Sequence, residues 1–385
     1  MPDIRSDENE GPPVRDIGRT GRTLADGIAL CLSGGGYRAM VFHVGVLWRL
    51  NEVGYLPKLA RVSSVSGGSI TAAVLGLNWG CLQFDAAGVG GAFGQYVVAP
   101  IRSLAGETID TGAIAGGIAL PGSVSDRIVA AYKEHLFGQA TLQDLPDDPP
   151  RFVINATNVQ SGALWRFMKS AMRDYRVGSV PSPTVSLATA VAASSAFPPV
   201  LSPVHIAVDA DAYDPPSPDE DLHRAPFTTN VMLSDGGVYD NLGLETSWKR
   251  YRTIFVSDAG GKLRPDPEPK TDWARHSMRV LDVIDNQVRS LRKRQIVGAL
   301  VDGTRHGAYW SIRTDAADYG DALALPCPFH RTTELAALAT RLKRLEPDVQ
   351  ERLINWGYAV SDAALRRYHD PQLPAPAGFP YRQGV

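Results

Sequence analysis

Cysteine is scarce in this chain: Cys31, Cys81 and Cys327 are the only three among 385 residues. Their wide spacing and odd number give neither a disulfide framework nor a metal-ligand pattern, so no metal is expected, and a reduced compartment suits them best. Long hydrophobic runs are missing too. No stretch of about 18 apolar residues is present to span a bilayer, and the opening MPDIRSDENEGPPVRD lacks the apolar segment of a secretory signal. These absences predict a cytoplasmic protein whose membrane contact, if it has one, is peripheral, at the inner face. Nor is there an excess of positive charge. With 39 Lys and Arg against 41 Asp and Glu the formal net charge is −2, so nothing attracts nucleic acid at long range and no such partner is expected. The triplet Asn155-Ala156-Thr157 has glycosylation spacing but sits in an apolar, strand-like run, and is read as chance.

What is present is enough apolar material for a sizeable core, 44% hydrophobic against 21% charged. Residues 1 to 26 alternate Pro, Gly and charge and read as a flexible lead-in. From Gly27 the pattern runs strand (GIALCLS), helix (Arg38 to Leu50), strand (ARVSSVS) and helix (Gly68 to Leu77). TIDTGAIAGGIALPG, residues 108 to 122, reads as a small-residue helix with a loop. RFVINATNV and GALWRFM flank Gln160-Ser161 as a hairpin would. VSLATAVAASSAFPP is a small-residue helix stopped by two prolines, and NVMLSDGG and RTIFVSDAGG are strands that each end in Asp and Gly. Further helices are expected over Trp273 to Leu300, Thr333 to Leu345 and Pro347 to Tyr368, with AYWSIR as a strand. Mixed strands and helices argue for an α/β sandwich, and the absence of a composition break after residue 26 argues for one domain.

Two stretches carry chemistry. SGGGYRA, residues 33 to 39, puts three glycines before a helix start, where bare backbone and unpaired N–H groups favour something anionic. A dinucleotide is disfavoured because no acidic residue stands about 20 positions beyond Ala39, and a phosphate loop because Gly-Lys-Ser/Thr is missing. RVSSVSGGSITAAVLG supplies serines at a strand-to-helix turn, which needs small residues two positions before and after the nucleophile. Ser66 has Ser64 and Gly68 there. Val62 stands behind Ser64 and Thr71 ahead of Ser69, so both fit poorly. The base that would activate Ser66 is open at this level. A triad would draw on His276, His306, His330 or His369, none of which sits in a loop that reads as catalytic. A dyad would use Asp235, at the end of a strand and followed by Gly236 and Gly237, and would require burial to raise an aspartate pKa of about 3.9.

The glycine loop, the elbow SVSGGS, the segment AVAASSAFPPVLSP and the Asp-Gly-Gly resemble the patatin-like phospholipase family in order and relative spacing, over residues 27 to about 260. The resemblance implies a three-layer α/β/α sandwich on a mostly parallel central sheet; beyond it, the residue pattern of 261 to 385 reads as a mostly helical C-terminal extension packed on the same domain. It implies Ser66 as nucleophile, Asp235 as its partner, and a lipid acyl hydrolase, of phospholipase A or acylglycerol esterase type, that needs no cofactor and acts on a lipid ester such as a phospholipid. The amides of Gly34, Gly35 and Gly36 would then hold the oxyanion, with Ser64, Gly67 and Gly68 shaping the elbow. Arg38 matches the family's arginine and would brace the loop or meet a lipid phosphate, while Ala39 replaces its last glycine. The alternatives are a soluble carboxylesterase with a Ser-His-Asp triad and a non-catalytic lipid-binding effector of the same fold. Asp258 rivals Asp235 but is expected to be structural, His43 is expected to be a bonded helix histidine, and RSLRKR (289 to 294) reads as a solvated helix face, with lipid headgroups the competing reading.

Overall fold

The computed structural model describes residues 24–109 and 123–385. Most of the expected lead-in and nearly all of the small-residue segment 108 to 122 lie outside them. Ten strands are β1 Ala25–Leu32, β2 Leu59–Val65, β3 Arg151–Asn158, β4 Ala163–Phe167, β5 Ala171–Asp174, β6 Gly178–Pro181, β7 Val204–Ala207, β8 Asn230–Asp235, β9 Tyr251–Asp258 and β10 His306–Ser311. The helices are α1 Gly36–Glu52, α2 Gly67–Leu77, α3 Ala99–Ala105, α4 Ser123–Tyr132, α5 Leu187–Ser194, α6 Gly237–Asp240, α7 Glu245–Trp248, α8 Trp273–Val301, α9 Phe329–Ala336 and α10 Pro347–Tyr368. The first strand thus begins two residues earlier than the pattern suggested, because Ala25 pairs with Tyr251.

Strands β10-β9-β1-β2-β3 form a parallel sheet in that order. Their apolar runs are buried on both faces, as helix-covered parallel strands require. Beyond β3 the sheet turns antiparallel. The expected hairpin is β3 with β4, and β8 also pairs antiparallel with β3. The result is a mixed α/β fold with helices flanking a central sheet.

The C-terminal helix α10 packs on α1 at backbone contact. A Cβ on Gly45 would fall 1.9 Å from the Ile354 carbonyl oxygen, and one on Gly357 would fall 2.0 Å from that of Phe42. Across the same seam Arg49 Nε donates to Asp362 at 2.9 Å, with both side chains buried. Two expectations for this part of the chain need correction. The helix expected over 333 to 345 ends at Ala336, since carbonyls that would continue it are taken by distant donors: Arg38 donates to that of Leu338, and the amides of Tyr37 and Ile109 to those of Arg341 and Leu342, while the Arg344 amide donates to Thr108 Oγ1 and the segment runs on as a strap to Leu345. The basic run 289 to 294 is no solvated face. Arg292 pairs with Glu245 at 3.1 Å, Lys293 with Asp258 at 2.5 Å and Arg289 with Asp285 at 2.7 Å, leaving Arg294 exposed. Charge therefore faces the body of the protein on α8, while Leu281, Ile284 and Leu291 stand exposed on it.

Candidate active site

Register alone brings Ser66 and Asp235 together. β2 runs parallel to β3 and ends with Val65 opposite Asn155; β8 runs antiparallel to β3 and ends with Asp235 opposite the next residue, Ala156. Two strands thus meet end to end along β3. Ser66 follows at once and turns sharply, with φ 53° and ψ −121°, a left-handed conformation that strains a non-glycine residue by about 1–3 kcal/mol. Its amide donates to Ser194 Oγ at 3.0 Å, Ser194 donates in turn to the Asn155 carbonyl at 2.6 Å, and the amide of Ser69 closes onto the Ser66 carbonyl at 2.8 Å. The residue two beyond must be glycine, because a Cβ on Gly68 would sit 2.5 Å from the Leu32 carbonyl oxygen. Gly67 is bound as tightly, 2.2 Å from that of Gly36. Ser64 is tolerated at the first small position, where its hydroxyl donates to the Val153 carbonyl and accepts from Ser69.

The three glycines do not behave alike. The Gly34 amide donates to the Asn241 carbonyl at 3.0 Å, so it is spent and cannot serve as an oxyanion donor; this corrects the expectation for Gly34. Its bare Cα matters instead for close approach, since a Cβ would lie 3.1 Å from Ser66 Cβ and 2.6 Å from Asn241 Oδ1. Gly35 and Gly36 have φ of 148° and 61°, and among the described residues their amides meet no acceptor. Gly36 opens α1 and lines the same cavity as Ser66, so a residue with an unpartnered amide at a helix start borders the cavity that holds the serine.

Arg38 braces. Its guanidinium donates to the Ala259 carbonyl (3.2 and 2.9 Å), to Thr340 Oγ1 (3.1 Å) and to the Leu338 carbonyl, and it is 2% exposed. Burial, with Arg313 nearby, pushes its pKa down to about 10. Four of its five N–H donors are thus committed within the protein, and at 2% exposure the side chain serves the loop rather than a lipid phosphate. His43 bridges Ser257 Oγ (2.9 Å) and the Ser33 carbonyl (3.0 Å), and burial lowers its pKa to about 4, so it is a neutral tie beneath the loop.

The two strand-end aspartates part company electrostatically. Asp235 is 3% exposed, and burial lifts its pKa to about 6 against the opposing pull of the Gly237 amide at 2.7 Å, the Ser66 hydroxyl and Arg289. Burial acts on Asp258 the same way, but Lys293, Tyr309 Oη at 2.7 Å and the Gly260 amide outweigh it and hold that carboxylate below its usual range. Asp258 is therefore a fixed anion. The cavity at Ser66 measures about 250 Å³ and is walled by Phe197, Val200, Leu201 and Leu342 together with Ser66 and Gly36; none of the histidines lines it.

Several supports were missed from sequence. Asn155 Nδ2 donates to Ser63 Oγ and the Ser64 carbonyl (both 2.9 Å), and Thr157 Oγ1 donates to the Asp235 carbonyl at 2.8 Å. The triplet dismissed as chance thus clamps both halves of the site, and its signal was two polar residues alternating within an apolar strand. Ser194 and the strap residues 338 to 342 left no comparable trace.

The sequence matches the patatin-like phospholipase family over residues 30–248. Among solved structures, human GIVD cytosolic phospholipase A2 superposes with a TM-score of 0.50 at 13% identity, covering 88% of this chain and 58% of that one. VipD from Legionella pneumophila gives 0.36 at 15% identity, covering 88% and 66%. The chain thus spans about 58% of the length of the human enzyme. A search of curated proteins finds no match. Because the family match covers more than half of the chain, the protein belongs to the patatin-like phospholipase family.

Proposed function

We propose that the protein is a lipid acyl hydrolase in which Ser66 attacks the ester carbonyl and Asp235 serves as its base. The observation that carries this reading is the buried Asp235 carboxylate, set beside Ser66 by strand register and with its pKa raised by burial to about 6 against the pull of the Ser66 hydroxyl. A base in that range is mostly ionised at neutral pH yet holds a proton well enough to return it. As Ser66 Oγ bonds to the carbonyl carbon, its proton passes to Asp235. The carbonyl oxygen becomes an oxyanion within reach of the free amides of Gly35 and Gly36, where one donor contributes roughly 10²–10³ in rate. Collapse breaks the bond to the alcohol oxygen, which takes the proton from Asp235 and leaves as the alcohol. Water then gives a proton to Asp235, attacks the acyl-serine and releases the fatty acid, and the proton goes back to Ser66.

The apolar walls of the cavity support an acyl chain as the group placed there, and membership of the family supports a lipid ester such as a phospholipid as the substrate class. A triad is disfavoured by the lack of any histidine at the cavity. Treatment with a fluorophosphonate should give a single adduct on Ser66, and phospholipid vesicles should release fatty acid. An adduct that persists in Ser66→Ala would remove Ser66 from its role.

A further inference from the structure

A second and larger cavity, about 650 Å³, opens at the β10 edge of the sheet and shares no lining residue with the Ser66 cavity. One wall is apolar: Val297, Leu300 and Val301 from the last turns of α8, faced by Tyr368 at the end of α10. Arg305 and His306 stand at the start of β10 on the same lining. Arg305 donates to the carbonyls of Thr304 (2.9 Å) and Trp248 (3.1 Å) and lies 4.5 Å over the Trp248 ring, but among the described residues no carboxylate pairs with it and its Nε meets no acceptor. Burial and the neighbouring Arg252 both depress its pKa, as for a cation without compensation. Other charges near the cavity are Asp318 on its lining, Asp370 and Lys58, which act on the lining residue His369, and Asp258, which accepts from the lining Tyr309 Oη at 2.7 Å and is paired with Lys293. An uncompensated guanidinium beside an apolar wall is the complement of an anionic head on an apolar tail.

We propose that this cavity binds a long-chain fatty carboxylate, the head at Arg305 and His306 and the chain along Val297, Leu300, Val301 and Tyr368. The volume lies within the range of small-molecule sites, about 300–1,000 Å³. Binding itself does not require catalysis; only the identification of this ligand as the reaction's own product rests on the hydrolase reading.

The test uses full-length Ser66→Ala protein, so that turnover plays no part, titrated calorimetrically with monomeric oleate. One site is expected, weakened at least tenfold by Leu300→Trp, which fills the cavity, and by Arg305→Gln, which removes the cation. Leu201→Trp, which fills the Ser66 cavity instead, should leave oleate binding intact. Oleyl alcohol and butyrate, each lacking one half of the ligand, should bind at least tenfold more weakly than oleate. The proposal is overturned if oleate does not bind, if Leu201→Trp rather than Leu300→Trp abolishes binding, or if Arg305→Gln and oleyl alcohol leave affinity unchanged. Should Leu300→Trp melt early, Arg305→Gln and the alcohol comparison decide alone. Failure of Ser66 to carry activity would leave this result standing, so the two claims fail separately.

Discussion

Residues before about 260 and those after it contribute to the candidate site in different currencies. The earlier region holds every group assigned a part in the proposed reaction: Ser66, Asp235 and the amides of Gly35 and Gly36. The later region adds supports to those the earlier one already holds in Ser194, Asn155 and Thr157. Thr340 and the Leu338 carbonyl hold Arg38 beside the glycine loop, and Lys293 and Arg292 neutralise Asp258 and Asp240–Glu245, at the ends of the elements that follow the site. Reactive groups need local backbone geometry, and supports need only the right charge or carbonyl nearby in space. The two regions should therefore fail differently when altered.

The largest effect is expected from the first region. Asp235→Asn should lower kcat by about 10⁴ or more, the scale of losing a catalytic member, while thermal unfolding shifts little, because the replaced carboxylate is one that burial already disfavours. Equal loss of stability and activity would mean that Asp235 is structural after all. Next comes the support. Arg38→Lys cannot reach Ala259, Leu338 and Thr340 at once, so kcat should fall by about 10² through a displaced glycine loop, with labelling of Ser66 by fluorophosphonate slowed in proportion. Undiminished kcat would detach the strap from catalysis. Lys293→Met leaves Asp258 buried without its cation and should cost about 3–5 kcal/mol in denaturant unfolding. Arg294→Gln, on the same helix but exposed, should change neither quantity measurably.

The same division decides how much could be read from sequence. Ser66 and Gly68 were legible because a sharp strand-to-helix turn forces small residues into adjacent positions, and Asp235 because a strand end followed by two glycines is a local signal. That Gly35 and Gly36 take positive φ at a strand-to-helix turn was legible for that reason too. Gly34 was misjudged because the fate of its amide depends on the Asn241 carbonyl, some 200 positions later. Arg38 could be matched to the family but its partners could not, since Leu338 lies 300 residues away. The helix expected over 333 to 345 failed on the same ground: its composition suits a helix, and contacts from the glycine loop and from Ile109 draw its carbonyls elsewhere. The basic run on α8 misled because charge pattern suggests solvent unless the buried carboxylates it meets are known.

The central claim is that an ionised Asp235 activates Ser66, and the rate of fluorophosphonate inactivation against pH tests it most directly. The account predicts an adduct on Ser66 whose rate of formation rises as pH increases, with an apparent pKa of about 6, falls tenfold per pH unit below that value, and loses this dependence in Asp235→Asn along with most of its magnitude. Inactivation of Asp235→Asn at the unaltered rate, with the same rise near pH 6, would contradict it.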